Sequence, residues 1–291
     1  MLAERFRQEV VKSKPIFFNQ PMRFAKLSTR REFIGTSALA VASVAHGAKS
    51  SKWKPIFNGK NTKGWHKPAG KVSHGTGGHW FVEDGALVGE QDPPGSGNGG
   101  ILLSDKKYGD FELEIDMNPD WGPCSGIFFR CNERGHGFQM YVDYHDRGNV
   151  GHLRGEMPGS FAMMPFKIFG EMKDGKLNGL RSEPDPRRAK WPEGVYNKIC
   201  KADEWLKAWK VNDWNTCKLR CVGKYPKVNV WINGLHVADW DGATSTLPGY
   251  DKDRVFKTLG RSGSIGLQVH GGKGWPKGAV VRWKNIRVSE L

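Results

Sequence analysis

Phe111-Glu-Leu-Glu-Ile-Asp-Met117 places an apolar side chain at every second position and a carboxylate at each one between. Side chains on an extended chain point alternately to opposite faces, so this period of two marks a strand with one buried face and one wet face. The same alternation recurs in Ser125-Gly-Ile-Phe-Phe-Arg130, Phe138-Gln-Met-Tyr-Val-Asp-Tyr144, Val228-Asn-Val-Trp-Ile-Asn233, Ser264-Ile-Gly-Leu-Gln-Val-His270 and Val280-Val-Arg-Trp-Lys-Asn-Ile-Arg-Val288. Gly, Asn, Asp and Pro separate these runs. Such a succession predicts an all-β sandwich of two antiparallel sheets rather than an α/β fold. Residues 155–210 break the pattern with stretches such as Arg181-Ser-Glu-Pro-Asp-Pro-Arg-Arg188, and a helix is predicted near Ala202–Lys210. This segment reads as a long irregular insertion over the open face of the sandwich.

With 291 residues the chain is long enough for one large domain or two modest ones. Hydrophobic content of 38%, with 12 Trp and 15 Phe, excludes a disordered chain, and five Cys are too few for a disulfide scaffold. Cys217 and Cys221 lie on one predicted strand and Cys124 and Cys131 flank another, and the odd total leaves at least one thiol without an intrachain partner. No CxxC pair exists, so local spacing gives no support to cysteine ligation of zinc. The longest apolar stretch is too short to span a bilayer in the mature chain.

Ser28-Thr-Arg30-Arg31-Glu-Phe-Ile34 is followed by a short, mildly apolar run to Ala45 and small residues at the expected cleavage point. This order is that of a twin-arginine export signal, with residues 1–48 as signal and leader and a periplasmic or extracellular destination. The prefix before Arg30 is long for such a signal, which makes Met22 a candidate start. Net charge is +15; residues 1–48 hold eight Lys/Arg against three Asp/Glu, and losing that surplus of five leaves the mature chain near +10. The basic residues are scattered and no nucleic-acid module signature is present, so nucleic acid is not an expected partner.

Sorting the strands by face gives the candidate site. Gln139, Tyr141, Asp143 and His145 share one side of their run, and Gln268 and His270 share another. Arg130 opposes Ile127 and Phe129, and Asn229, Trp231 and Asn233 oppose Val228, Val230 and Ile232. If these polar faces belong to one concave sheet, Arg130, Gln139, Tyr141, Asp143, His145, Trp231, Gln268 and His270 form a basin of donors, acceptors and aromatics. Sugars suit such a basin, stacking rings on aromatic faces and pairing hydroxyls with planar polar groups. Glu112, Glu114 and Asp116 are a second constellation. Two carboxyls roughly 5–5.5 Å apart serve a retaining glycosidase, yet three acids on one strand are also an ordinary wet sheet face. Gly95-Ser-Gly97-Asn-Gly-Gly100 satisfies G-x-G-x-x-G, but Ile101-Leu-Leu-Ser leads on to a turn and a strand, not to the helix a dinucleotide site needs.

Several stretches, in order, resemble the 3-keto-disaccharide hydrolase domains. They are Pro55-Ile-Phe-Asn-Gly-Lys-Asn-Thr-Lys-Gly-Trp65, Trp80-Phe-Val-Glu-Asp-Gly-Ala-Leu-Val-Gly89, Gly100-Ile-Leu-Leu-Ser, Tyr108-Gly-Asp-Phe-Glu-Leu and Ser125-Gly-Ile-Phe-Phe-Arg130. Trp214-Asn215, Val230-Trp-Ile-Asn-Gly234, Gly266-Leu-Gln-Val-His-Gly271 and Trp283-Lys-Asn-Ile-Arg-Val-Ser-Glu-Leu291 continue the match. The resemblance implies a single concanavalin-like, laminarinase-like β-jelly roll over residues 49–291, with the insertion at about 155–210. Where the family commonly has Gly-Tyr-Glu-x-Gln, this chain has Gly137-Phe-Gln139-Met-Tyr141. A role needing a carboxylate at 139 does not carry over.

The resemblance also implies a carbohydrate substrate and cleavage of 3-keto-glycosides. The ketone acidifies the proton on carbon 2, a base removes it, the group on carbon 1 leaves, and water adds to the enone. His270 is the expected base, with His145 as the alternative, and Arg130 the expected partner of the oxyanion. Gln139 and Gln268 would orient hydroxyls, with Tyr141, Asp143 and Trp231 as further contacts. Asp143 and His145 are candidates to hold a divalent cation. A non-catalytic, lectin-like domain and a direct two-carboxylate glycosidase are the alternatives.

Overall fold

The computed structural model describes residues 53–291 apart from 73, 157–160, 188–190 and 192–194. The export signal expected within residues 1–48 therefore lies outside the described residues. Along the chain the first strands are β1 (Lys54–Pro55), β2 (Trp65–His66), β3 (His79–Glu83), β4 (Ala86–Glu90), β5 (Gly100–Tyr108) and β6 (Phe111–Pro119). Then come β7 (Cys124–Cys131), β8 (Gly137–Asp143), β9 (Val150–Glu156), β10 (Phe161–Ala162), β11 (Phe166–Lys173) and β12 (Lys176–Pro184). The last are β13 (Lys198–Ile199), β14 (Asn215–Val222), β15 (Lys227–Ile232), β16 (Leu235–Asp241), β17 (Gly263–Val269) and β18 (Val281–Glu290), with helices α1 (Ala202–Ala208) and α2 (Lys252–Leu259) between them.

Two antiparallel sheets form the sandwich. One runs β13-β16-β15-β14-β6-β18-β4-β3, with β1 added beside β18, and the other runs β10-β9-β8-β7-β17-β5-β2. The strictly alternating strand β6 lies between β14 and β18. Its apolar set, Leu113, Ile115 and Met117, is fully buried, as are Cys217 and Leu219 of β14 and Val228, Val230 and Ile232 of β15. These face Ile127 and Phe129 of β7, Phe138, Met140 and Val142 of β8, and Leu267 of β17 in one continuous core. Cross-sheet contacts fix the facing: Cys217 Sγ lies 3.3 Å from Met140 Sδ, and the Phe138 and Trp240 rings stand 5.6 Å apart. Burying each such side chain stabilises the fold by roughly 1.5–3 kcal/mol relative to leaving it exposed. The expected sandwich is thus the observed one. Among the described residues no helix is long and apolar enough to cross a membrane.

The segment expected to be irregular contains a regular piece. β11 and β12 pair as a hairpin separate from both sheets. Asp174 and Gly175 form its turn, both with positive φ (50° and 73°), which is the two-residue geometry that matches strand twist and that Asp-Gly supplies. The hairpin positions part of the site. Gly148 bridges Ile168, Arg147 N donates to the Ile168 carbonyl, and Gly170 N donates to Asp146 Oδ1 at 3.0 Å. The loop carrying His145 is thereby tied to β11 at three successive residues, Asp146, Arg147 and Gly148. The helix is shorter than expected, ending at Ala208, and Trp209 just beyond donates its indole N–H to Tyr144 Oη at 3.1 Å.

Candidate functional site

The outer face of the seven-stranded sheet carries a hollow of about 190 Å³ lined by His74, Cys124, Gln139, Tyr141, Asp143, Arg154 and His270. Strand register explains the set: Gln139 of β8 pairs with Arg154 of β9, and Cys124 of β7 pairs with Asp143 of β8. Paired residues in an antiparallel ladder share a face. An adjoining hollow of about 530 Å³ shares Cys124 and His270 and adds Trp121, His145, Trp275 and Pro276. The two hollows adjoin at Cys124 and His270 and together make up the cleft, with Trp121 and Trp275 lining the second beside His145 and Asp146.

A hydrogen-bonded chain builds the cleft floor. Gln139 Nε2 donates to Gln268 Oε1 at 2.8 Å, and Gln268 Nε2 donates to His74 Nε2 at 2.8 Å. Ser125 Oγ holds the Gln268 carbonyl at 2.6 Å. Gly126 makes room for this chain, because a Cβ there would lie 1.9 Å from Gln139 Nε2. Gly271 does the same for the His74 loop, where a Cβ would meet the His74 carbonyl at 2.3 Å. As an acceptor at Nε2, His74 carries its proton on Nδ1 and is neutral. Burial lowers its pKa to about 4, helped by the nearby charges of His270 and Arg154.

His74 therefore takes up fewer protons when folded than the ordinary value of about 6.5 dictates when unfolded. Its contribution to stability is fully present above pH 6.5 and is lost as pH falls from there toward 4, up to about 3 kcal/mol. Urea unfolding at pH 7 and pH 4.5 should show that loss in the native chain and a smaller one in His74→Gln. Equal losses in both would show that His74 does not remain neutral in the fold.

The His270 ring lies against His74, with centroids 4.5 Å apart and planes tilted by 56°. Its Nδ1 faces the Gly271 carbonyl. A carbonyl only accepts, so Nδ1 bears the proton and Nε2 keeps its lone pair, the form a base requires. Arg154 supplies positive charge and donates from Nη1 to Tyr141 Oη at 3.5 Å. Asp143 is buried, and burial pushes its carboxyl above the usual carboxylate range, an effect opposed by the Cys124 thiol and by the charges of His145, His270 and Arg154. Cys124 Sγ donates to Asp143 Oδ1 at 3.0 Å. His145 stands just past β8, its Nδ1 2.8 Å from the Asp146 carbonyl.

The structure brings Gln139, Tyr141, Asp143, His145, Gln268 and His270 together. Gln268 is 1% exposed and sits beneath the cleft as a support for Gln139 and His74 rather than at its surface. Arg130 and Trp231 are not in the cleft. Ser264 and Gly266 of β17 pair with Cys131 and Phe128 of β7, a β-bulge with Arg130 at φ 49°. A bulge re-aims the side chains beyond it, so alternation counted from Phe129 fails at 130. The Arg130 guanidinium is buried and donates to the Gly109, Gly223 and Lys224 carbonyls and to Asp110 at 3.2 Å, a structural tie between strand ends. Trp231 belongs to the nine-stranded sheet, whose outer face is the opposite side of the sandwich, and it stacks on His236 at 4.8 Å.

That opposite face also carries the three acids of β6. Glu112 pairs with Lys218 at 3.0 Å, Glu114 with Arg287, and Asp116 accepts from Thr216 and Asn285, each at 2.6 Å. A hollow of about 610 Å³ lies beside Glu114 and Asp116, but each carboxylate is occupied by a cation or an amide. Both acids are thus held by partners on the face opposite the histidine cleft. The glycine run at 95–100 packs a loop on the site, a Cβ at Gly99 falling 2.1 Å from the Val269 carbonyl.

His74, Cys124 and Arg154 line the 190 Å³ hollow and were missed by sorting by face. Arg154 lies in Val150-Gly-His-Leu-Arg154, an alternation weakened by Gly151 and by a bulge against β8. His74 comes from a loop with no periodicity, so only the density of glycine around it is a signal.

The fold is a jelly roll, and the family that its sequence matches makes it one of glycosyl-hydrolase-like or carbohydrate-binding type. The chain belongs to the 3-keto-alpha-glucoside-1,2-lyase-like domain family, whose family model matches residues 52–289. No curated protein matches the chain. Among solved structures, a candidate glycosyl hydrolase from Parabacteroides distasonis is 17% identical, with 82% of this chain and 94% of that one covered at a TM-score of 0.47. A Bacillus licheniformis beta-glucanase is 13% identical over 83% and 98% of the two chains at 0.40, and the carbohydrate binding module CBM66 from Bacillus subtilis is 15% identical over 79% and 98% at 0.41.

Proposed function

We propose that the protein cleaves the glycosidic bond of 3-keto-glycosides by elimination. His270 Nε2 takes the proton from carbon 2, and the electron pair passes into the carbon 3 ketone as an enediolate. The enediolate collapses, the carbon 1–oxygen bond breaks, and the imidazolium of His270 returns its proton to the leaving oxygen. Water then adds across the new double bond to release a 3-keto sugar. One observation carries this reading: a histidine whose tautomer leaves Nε2 unprotonated opens into a cleft shared with the Arg154 guanidinium. A neutral imidazole with a free ring nitrogen can take up a proton made acidic by a neighbouring ketone. Arg154 takes the oxyanion role expected of Arg130.

Gln139, standing where the family commonly has Glu, favours a second reading, a binding-only domain. Incubating the purified protein with a 3-keto-glucoside and with its parent glucoside separates the two. Turnover of the ketone alone is the expected result, whereas saturable binding of either sugar without turnover would replace the enzyme reading with the lectin-like one. Export by the twin-arginine route belongs to the same proposal and rests on Arg30 and Arg31 with the apolar run beyond them. Unchanged export after changing both arginines to lysine would overturn it.

A further inference from the structure

Cys124, Asp143 and His145 each offer one ligand atom, and these atoms all lie within 4.8 Å of one another. Among the described residues they bring a thiol, a carboxylate and an imidazole to one corner of the cleft. We propose that they form a binding site for a zinc-class divalent ion, with the remaining coordination position open to the cleft.

Strand register, rather than any local motif, makes the set. Cys124 and Asp143 are direct partners across β7 and β8, and His145 comes two residues later on the pinned loop. This is why spacing along the chain gives no hint of cysteine ligation. The Asp143 carboxylate is buried, and the donor facing it is a thiol, among the weakest donors a protein has. A divalent cation in place of the thiol proton would supply the charge that a buried carboxylate requires. Binding would release that proton and leave a thiolate and a carboxylate on the ion. The His145 Nδ1–H is held by the Asp146 carbonyl, leaving Nε2 as the donor, the arrangement in which a backbone carbonyl orients a metal-binding histidine. Ligand atoms around tetrahedral zinc lie roughly 3.5 Å apart, given metal–ligand distances of about 2.0–2.3 Å. The Cys124 and Asp143 atoms already stand 3.0 Å apart, and closing the set on an ion would require His145, which is half-exposed, to adjust.

The donor set selects the ion. A thiolate favours Zn²⁺ or Co²⁺ over Mg²⁺ and Ca²⁺, which take oxygen ligands. Three protein ligands with an open fourth position are the pattern of a reactive zinc site, not a structural one. The metal site stands independently of the glycoside reading. Where that reading holds, the ion would stand in the same cleft as His270 and could polarise the sugar ketone.

Cobalt titration of chelator-stripped protein tests the site, with absorption read in the near ultraviolet, where a thiolate bound to Co²⁺ gives a charge-transfer band. The expected result is a saturating band at one Co²⁺ per chain, displaced by Zn²⁺ and untouched by excess Mg²⁺. Cys124→Ser should abolish the band and His145→Ala should weaken Co²⁺ binding by about 100-fold or more, with circular dichroism confirming that both variants fold. Absence of the band in the native chain, its survival in Cys124→Ser, or unchanged affinity in His145→Ala would each overturn the site. Metal binding by a protein that turns over no 3-keto-glycoside would leave the site standing and remove the enzyme reading. Full turnover by protein shown to be metal-free would leave the site without a part in the chemistry.

Discussion

His270→Gln lowers turnover of a 3-keto-glucoside by about 10²–10⁴-fold, the range expected for loss of a general base, while substrate affinity is largely kept. Glutamine retains much of the volume and one hydrogen-bonding end, so it removes the proton acceptor and little else. The His270 ring packs against His74 and its backbone N–H reaches the Cys124 carbonyl at 3.3 Å, contacts that do not depend on ring basicity. Single-turnover kinetics with separately measured binding provide the check. Intact turnover with weakened binding would make His270 a sugar contact and move the base elsewhere.

The second large effect is expected at Arg154. Replacing it with Gln removes the guanidinium that shares the 190 Å³ hollow with His270, and loss of a preorganised partner for a developing oxyanion costs about 10²–10³-fold in kcat. Arg154→Lys should fall between, because a point charge without the planar fork stabilises the enediolate less well. A rise in KM with kcat unchanged would show that Arg154 binds ground state and transition state equally. Arg130→Gln offers a contrast: its guanidinium ties Asp110 to backbone carbonyls outside the cleft, so its loss should act on stability.

The sandwich was legible because several strands, β6 and β14 most plainly, alternate apolar and polar residues. In β6 and β15 the inward residues are the ones that alternation nominates, and a one-residue slip would have reversed both faces. The hairpin of β11 and β12 was legible too, through Asp174-Gly175, but the charged residues around it read more strongly as irregular chain. Assignment of strands to sheets was not legible. Alternation tells which face a residue takes and not which sheet its strand joins, so Trp231 and the acids of β6 came out on the far side of the molecule from His270. Arg130 failed for a different reason, since a single left-handed residue in a bulge breaks the period just where it was being counted. Arg154 and the pairing of Cys124 with Asp143 depend on long-range register, which no window of sequence contains.

The central claim is that the bond breaks after loss of the proton on carbon 2, and isotope incorporation tests it most directly. A 3-keto-glucoside is turned over in D₂O by the native protein beside a control without protein, and carbon 2 of the released sugar is read by NMR and mass spectrometry. Elimination predicts either accumulation of the unsaturated 3-keto sugar or, after hydration, deuterium at carbon 2 in each molecule released, above the control. Release of a 3-keto sugar that keeps its original proton on carbon 2 would contradict the account and mean direct displacement at carbon 1.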